Sequence, residues 1–299
     1  MTTPSTPSPG VYKDISFPEY CSWPAVNHST LRHMDISPAH CRQYMLHGNQ
    51  QTRSLRLGQA AHTAVLEPKK FEDDYFVIPF VEDARANKDH PHWKGKEYSP
   101  CYVGEWPHKS SNQWKEHVGI VERDNAGKIL LPDDEYDEAM NIRRAVQEHV
   151  TARQIIDEPG LPEVCIVWKD EETGLMCKAR IDKLVPSRVI EIKSSDDARD
   201  FKFARAIERY SYHTQAAWYL LGLNALDIAG KREEVERQHI FIVIENKPPH
   251  AVMCYQLDHE SLTTGHFQNR NRLAEDSKCL AEDYWPAFPD HGIQPIGLH

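Results

Sequence analysis

The chain has 299 residues, 40% of them hydrophobic, and a net charge of −10, which suits a globular protein with a sizeable core. No apolar run approaches the roughly 20 residues that a membrane-spanning helix needs. The seven cysteines form no CxxC pair, which argues against a disulfide framework, a zinc ribbon and an iron–sulfur cluster. The acidic charge disfavours a nucleic-acid partner, although DNA needs only a local basic surface.

The N-terminal part is predicted to be helical after an irregular start. Residues 1–28 contain five prolines and are predicted to be an irregular leader. Capping and periodicity predict a short helix over 37–47 and a mostly apolar helix over 55–66. A short strand is expected at 76–81. The unpatterned stretch 82–118 is predicted to be a long loop or arm, which either touches substrate or is a surface insertion.

The second half of the chain alternates strands with helices. A charged amphipathic helix over 134–150 precedes three β-rich segments, whose tight spacing predicts an antiparallel meander. A helical region, two further strands and a final helix follow. In chain order these segments are 163–170, 175–185, 188–195, 197–229, 239–246, 251–257 and 258–283. The order predicts an α/β fold with a mixed sheet flanked by helices.

Two carboxylates and one lysine are predicted to meet on neighbouring strands. Glu191 and Lys193 lie two residues apart in one strand, so their side chains share a face, and pairing with the preceding strand brings Asp182 beside Glu191. Oxygen ligands of this kind bind Mg²⁺ or Mn²⁺, which activates water for phosphodiester hydrolysis. On spacing alone, an exposed strand face that alternates charged and apolar residues stays open as the alternative.

Several segments resemble one family of nucleases when they are read together. The D-x8-E-x-K order at 182–193 resembles the core of the PD-(D/E)XK nuclease superfamily. The segment 58–62, Gly-Gln-Ala-Ala-His, resembles the G-x-x-x-H helix of RecB-like and RecE-like nucleases, and 215–219 resembles their Q-x-x-x-Y helix. Residues 163–182 resemble the exodeoxyribonuclease VIII (RecE) type domain. These matches follow the family's order along most of the chain.

The resemblance implies a role for each matching residue. Asp182 and Glu191 would bind the metal, Mg²⁺ or Mn²⁺, and Lys193 would be the catalytic lysine. The further metal ligands implied are His62, Glu163 and the backbone carbonyl of Ile192, and the further active-site residues are Gln215 and Tyr219. Three of these assignments have a structural alternative: His62 as a buried core histidine, Glu163 as an exposed carboxylate, and the pair Gln215 and Tyr219 as ordinary packing of a helix.

A second group of residues is predicted to contact DNA. Ser194 and Ser195 follow the lysine and can hydrogen-bond a phosphate, although they could equally end the strand. Basic residues then recur at spacings of three and four, which places them on one helical face and suits contact with the DNA backbone. They are Arg199, Lys202, Arg205 and Arg209. A solvated helix face is the alternative.

The resemblance also implies a fold and an activity for the whole chain. The fold is an α/β restriction-endonuclease-like core with a helical N-terminal part, in a single domain over 29–285 followed by a tail at 286–299. The activity is that of a Mg²⁺-dependent (or Mn²⁺-dependent) exonuclease without an iron–sulfur cluster. It digests linear double-stranded DNA from its ends, 5′ to 3′, in phage or prophage recombination.

The implied setting is the cytoplasm of a bacterial or phage-infected cell, without a membrane. The implied partners are double-stranded DNA ends, a single-strand annealing protein, and further copies of the chain in a ring. Two alternatives remain. One is a structure-specific or endonucleolytic member of the same superfamily, and the other is a non-catalytic DNA-binding module that keeps the fold.

Overall fold

The computed structural model describes residues 5–48, 52–77, 119–229, 235–290 and 293. The chain groups into two compact units. Unit 1 comprises Met1–Thr52 and Ala145–His299, and unit 2 comprises Arg53–Arg144. The stretch 82–118, predicted to be a loop or arm, lies outside the described residues.

Unit 1 is built on a six-stranded mixed sheet. Its strands are β1 Gly10–Tyr12, β4 Leu161–Lys169, β5 Met176–Val185, β6 Arg188–Ser195, β7 Gln238–Glu245 and β8 Val252–Gln256, while β2 and β3 belong to unit 2. The spatial order is β1-β4-β5-β6-β7-β8. Neighbouring strands are antiparallel except β6 and β7, which are parallel. The predicted meander of β4, β5 and β6 and the predicted α/β fold are confirmed.

Helices flank this sheet within unit 1. They are α1 Phe17–Ser22, α2 His28–Leu31, a 3-10 turn at Arg32–Asp35, α3 Pro38–His47, α7 Val150–Asp157, α8 Asp200–Tyr210, α9 Tyr212–Ala229 and α10 His259–Glu282. Two of them, α8 and α9, carry the chain from β6 to its parallel neighbour β7, which a parallel pair requires. Among the helices that the structure describes, none is long and apolar enough to cross a membrane.

The predicted irregular leader contains ordered structure, which corrects the expectation for residues 1–28. Strand β1 pairs with β4, and the Ser16 side chain caps α1 by accepting from the backbone N–H of Glu19. Trp23 is buried against Cys165 and Val167 of β4. Pro18 is compatible with this order, because it lies in the first turn of α1, where proline is tolerated.

Helix α9 lies directly on the sheet. The Trp218 ring packs against the Trp168 ring of β4, with 5.0 Å between centroids, and both residues are almost fully buried. Gly222 permits this approach, since a Cβ atom there would lie 2.6 Å from the Trp168 ring. The packing therefore fixes the position of the whole helix over the sheet.

Unit 2 contains helices and a two-stranded parallel sheet. Its elements are α4 Arg53–Leu66, α5 Pro68–Asp74, β2 Tyr75–Val77, β3 Ile129–Leu131 and most of α6 Asp133–Glu148. Ion pairs join α4 to α6, with 2.7 Å between Arg53 Nη2 and Asp134 Oδ2 and a closer contact between Arg56 and Glu135. Helix α4 agrees with the helix predicted over 55–66.

Candidate metal and catalytic site

The predicted carboxylate pair lies where β5 and β6 separate. The ladder between these strands ends at the pair formed by Lys183 and Ile190. One residue further, the Oδ2 atom of Asp182 accepts a hydrogen bond of 2.8 Å from the backbone N–H of Ile192. Asp182 and Glu191 are both buried. A side-chain carboxylate thus takes the place of a ladder bond, which fixes Asp182 beside Glu191.

Lys193 completes this group. Its Nζ atom lies 2.7 Å from Glu191 Oε1 and 2.9 Å from Gln215 Oε1. Burial tends to lower the pKa of Lys193, but the negative charges of Glu191 and Asp182 outweigh it and raise the pKa above its ordinary value. Lys193 is therefore an ammonium at neutral pH, held in one place by two acceptors.

Gln215 and Tyr219 extend the group onto α9. The two residues are one helical turn apart and face the same way, and Gln215 Nε2 donates to the Tyr219 hydroxyl at 2.8 Å. Burial, followed by the negative charges of Glu191 and Asp182, raises the pKa of Tyr219 well above its ordinary value. Tyr219 therefore keeps its proton, and the amide of Gln215 connects it to Lys193.

A buried polar network holds the start of α9. The Oγ1 atom of Thr214 lies 2.7 Å from Nε2 of His28 in α2. The backbone carbonyl of Thr214 accepts a 2.7 Å hydrogen bond from Asn269 of α10. The side-chain oxygen of Asn269 in turn accepts from Arg272 at 3.1 Å. All four residues are buried. This network fixes the residue that precedes Gln215, and no sequence motif indicated it.

Glu163 adds a third carboxylate. The pairs formed by Pro162 with Lys183 and by Val164 with Ile181 flank it, so it lies opposite Asp182. A carboxylate oxygen of Glu163 lies within 4.8 Å of one of Asp182. Two oxygens that share one cation are no more than about 5 Å apart, since each lies roughly 2.0–2.6 Å from it.

The backbone of Glu163 is strained. Its φ angle of 47° lies in the left-handed region, which costs a non-glycine residue about 1–2 kcal/mol. Its side chain accepts a 2.7 Å hydrogen bond from Nε of Arg180, whose Nη1 donates to the carbonyl of Ile15 at 2.8 Å. Such strain persists where the surroundings over-determine a conformation, which is common at functional sites. The role of Arg180 was not foreseen from the sequence.

The donor set of these side chains fits a hard divalent cation. Asp182, Glu191 and Glu163 offer only oxygen atoms, which Mg²⁺ and Mn²⁺ prefer. His62 lies in α4 of unit 2 and is half-buried. Its role as a ligand, like that of the Ile192 carbonyl, stays a prediction that the resemblance carries.

The residues predicted to contact DNA lie at the end of β6 and on α8. Ser194 is exposed. Ser195 is the last residue of β6, and its hydroxyl donates to the carbonyl of Asp197 in the segment that follows, at 2.9 Å. Arg199 forms an exposed ion pair with Asp197. The other three basic residues, Lys202, Arg205 and Arg209, are exposed on α8, and Phe203 anchors the buried face of that helix.

The fold resembles that of a solved protein. A crystal structure of a candidate exonuclease from Eubacterium rectale aligns with a TM-score of 0.50 and 9% identity, over 92% of this chain and 91% of that chain. At this identity the similarity concerns the fold alone. The crystal structure of SSO0001 covers 78% of this chain and 88% of that chain with 16% identity, and its TM-score of 0.28 is too low to compare folds. No curated protein matches the sequence.

The sequence match to a family model places the chain in the PD-(D/E)XK class of domains. Residues 27–291 match the family described as a PDDEXK-like domain of unknown function (DUF3799). The chain therefore belongs to that family. Membership in this PDDEXK-like family supports a nuclease.

Proposed function

We propose that the chain is a metal-dependent deoxyribonuclease that works as an exonuclease on linear double-stranded DNA. The observation that carries the proposal is the ammonium of Lys193, held at 2.7 Å from Glu191 and 2.9 Å from Gln215. Such a cation beside converging carboxylates suits the hydrolysis of a phosphodiester, whose transition state gains negative charge.

Each residue of the site has a distinct part in this proposal. Asp182, Glu191 and Glu163 would hold Mg²⁺ or Mn²⁺, which polarises a phosphoryl oxygen and lowers the pKa of a bound water when present. The ammonium of Lys193 donates a hydrogen bond to the attacking water or to a phosphoryl oxygen. Gln215 keeps the ammonium in place, so that no reorganisation is needed during the reaction.

The finer assignment rests on the sequence motifs that resemble RecE-type nucleases. They support digestion in the 5′ to 3′ direction, a part in phage-type recombination, and His62 and the Ile192 carbonyl as further metal ligands. An annealing protein and further copies of the chain in a ring are proposed partners on the same ground, and the bacterial cytoplasm is the proposed setting. The exposed basic side chains of α8 support contact with the DNA backbone through attraction to its phosphates.

One experiment tests the reaction class. Linear and covalently closed circular duplex DNA are incubated with the protein in Mg²⁺, in Mn²⁺ and in EDTA. We expect loss of linear DNA only, and only with a metal. Cutting of circles would replace the exonuclease with an endonuclease that uses the same site. The absence of cleavage of any DNA would contradict a nuclease and favour a binding module.

A further inference from the structure

Two tyrosines lie at the turn that joins α8 to α9. Tyr210 ends α8 and Tyr212 begins α9, while Ser211 between them is left-handed, with a φ angle of 58°. The backbone N–H of Ser211 bonds to the carbonyl of Glu208 at 3.2 Å, which closes the end of α8. The two rings lie 5.6 Å apart and are tilted by 30°. We refer to Tyr210 and Tyr212 as the tyrosine ledge.

The inner ring of the ledge contacts the candidate catalytic lysine. The Nζ atom of Lys193 lies 4.5 Å from the centroid of the Tyr212 ring. The ring also packs against Phe203 at 6.1 Å and Phe241 at 6.2 Å, which anchors it in the core. Because Lys193 is itself held by Glu191, the ledge has a fixed position relative to the site.

The outer ring is open to solvent. Tyr210 is 45% exposed, and the guanidinium of Arg209 lies 5.5 Å from its ring. A single exposed aromatic residue is ordinary on a protein surface. Tyr210 differs because its ring lies beside the Tyr212 ring, which in turn contacts Lys193. In addition, Arg205 and Arg209 are exposed one turn apart on the same helix.

We propose that the tyrosine ledge binds the unpaired base of the nucleotide at a DNA end, while the phosphate of that strand meets Lys193. Any base can stack on a tyrosine ring, because every base has a π-face, and neighbouring arginines attract the backbone. A base inside a duplex has both faces covered by its neighbours, so an unpaired terminal base offers the free face. This inference rests on the proposed function, since it names the part of the substrate that the site takes.

The ledge also gives a physical reason for action at ends. A nucleotide can occupy Tyr210 only where its base has left the duplex, and separation is easiest at a terminus or at a base that is already single-stranded. A continuous duplex without an end would not fill the ledge. End preference would then arise from a stacking surface next to Lys193 and not from recognition of a sequence.

The test uses the full chain in Ca²⁺ and a duplex with one unpaired terminal 2-aminopurine, whose fluorescence falls when the base stacks. Wild type is compared with Tyr210→Ala and with Tyr210→Phe, which keeps the ring. Tyr284→Ala is the matched control, because it removes a tyrosine ring that is 63% exposed and lies after the end of α10. We expect Tyr210→Ala to abolish quenching and to weaken binding about tenfold, while the other two variants behave as wild type.

Three outcomes overturn the ledge. They are unchanged quenching in Tyr210→Ala, an equal loss in Tyr284→Ala, or equal quenching of a 2-aminopurine that is paired inside the duplex. Cleavage by wild type in Mg²⁺ is measured on the same DNA without the probe. If wild type cuts this DNA while quenching does not depend on Tyr210, base binding by the tyrosine ledge is contradicted and the proposed nuclease activity is supported. If quenching depends on Tyr210 but no DNA is cut, base binding by the tyrosine ledge is supported and the proposed nuclease activity is contradicted.

Discussion

The side-chain oxygen of Gln215 in helix α9 lies 2.9 Å from the ammonium of Lys193 in strand β6, although the two residues are 22 positions apart in the sequence. The same amide donates to Tyr219 at 2.8 Å. Gln215 therefore gives the Lys193 ammonium a second acceptor besides Glu191, which fixes its position. The helix contributes to the site by fixing the lysine.

Replacing this amide tests its role in positioning. Gln215→Met has nearly the same size and cannot accept from Lys193. A hydrogen bond to a charged group contributes about 1.5–3 kcal/mol, so we expect kcat to fall roughly 10-fold to 150-fold with little change in KM for DNA. Steady-state cleavage of linear duplex measures both constants. A higher KM with an unchanged kcat would show that Gln215 binds DNA and does not position Lys193.

The carboxylates predict a metal-dependent stability. Asp182 and Glu191 are buried side by side, and the single charge of Lys193 offsets only one of their two negative charges, so a bound metal ion should stabilise the pair. Asp182→Asn keeps an oxygen that can accept from Ile192, so the metal-free variant should be at least as stable as wild type. Wild type should gain about 2.7 kcal/mol in Mn²⁺ at 100 times its Kd. Thermal melts with and without Mn²⁺ measure the difference.

The Asp182→Asn variant should show a much smaller gain in Mn²⁺ and no cleavage. Lys278→Ala is the control, because it changes an exposed charge on α10. An equal gain in wild type and Asp182→Asn would mean that the stabilising metal binds elsewhere.

The hydroxyl of Thr214 is predicted to affect both stability and rate. Thr214→Val keeps the shape of the side chain but leaves His28 without the partner that lies at 2.7 Å. A buried polar group that loses its hydrogen bond costs about 1–3 kcal/mol. Urea denaturation should show that loss, and kcat should fall because Gln215 follows Thr214 in the same helical turn. Thr214→Ser, which keeps the hydroxyl, should restore most of kcat; a defect as large as that of Val would refute the role of the hydrogen bond.

A buried histidine predicts a dependence of stability on pH. Burial lowers the pKa of His239 to about 3, whereas in the unfolded chain it lies near 6.5. Below about pH 6.5 the unfolded state binds more protons than the folded state, so stability is present above that pH and is lost as the pH falls toward 3. The expected slope from this residue is about 1.4 kcal/mol per pH unit.

His239→Phe isolates this effect. The ring of His239 packs against the ring of Phe241, 4.6 Å away, so a phenyl group suits the same surroundings. The free energy of unfolding of the variant should fall less steeply than that of wild type between pH 6 and pH 4, as measured by urea denaturation at each pH. Parallel curves for the two proteins would show that His239 does not titrate with unfolding.

The core of the site could be predicted from the sequence because its geometry is local. Strand periodicity places Glu191 and Lys193 on one face, and the short turn after Val185 brings β6 back along β5. Helical periodicity likewise aligns Gln215 with Tyr219. These relationships depend on few residues, so spacing describes which side chains share a face, while the roles of the residues came from the family resemblance.

Other features depend on distant contacts that spacing does not describe. The segment Phe17–Trp23 is ordered because the buried Nζ of Lys178, more than 150 positions away, donates to the carbonyls of Tyr20 and Trp23 at 2.8 and 2.7 Å. The pair formed by His28 and Thr214 is 186 positions apart. The left-handed backbone of Glu163 is also imposed by its surroundings, since glutamate has no preference for it.

The account depends most on the claim that Lys193 acts in phosphodiester hydrolysis. The direct measurement is the release of labelled nucleotide from end-labelled linear duplex in Mg²⁺, with wild type, Lys193→Met and the exposed control Lys278→Met. We expect Lys193→Met to lower kcat by about 100-fold to 1000-fold, with the fold retained, while the control equals wild type. Release by Lys193→Met at the wild-type rate would contradict the account.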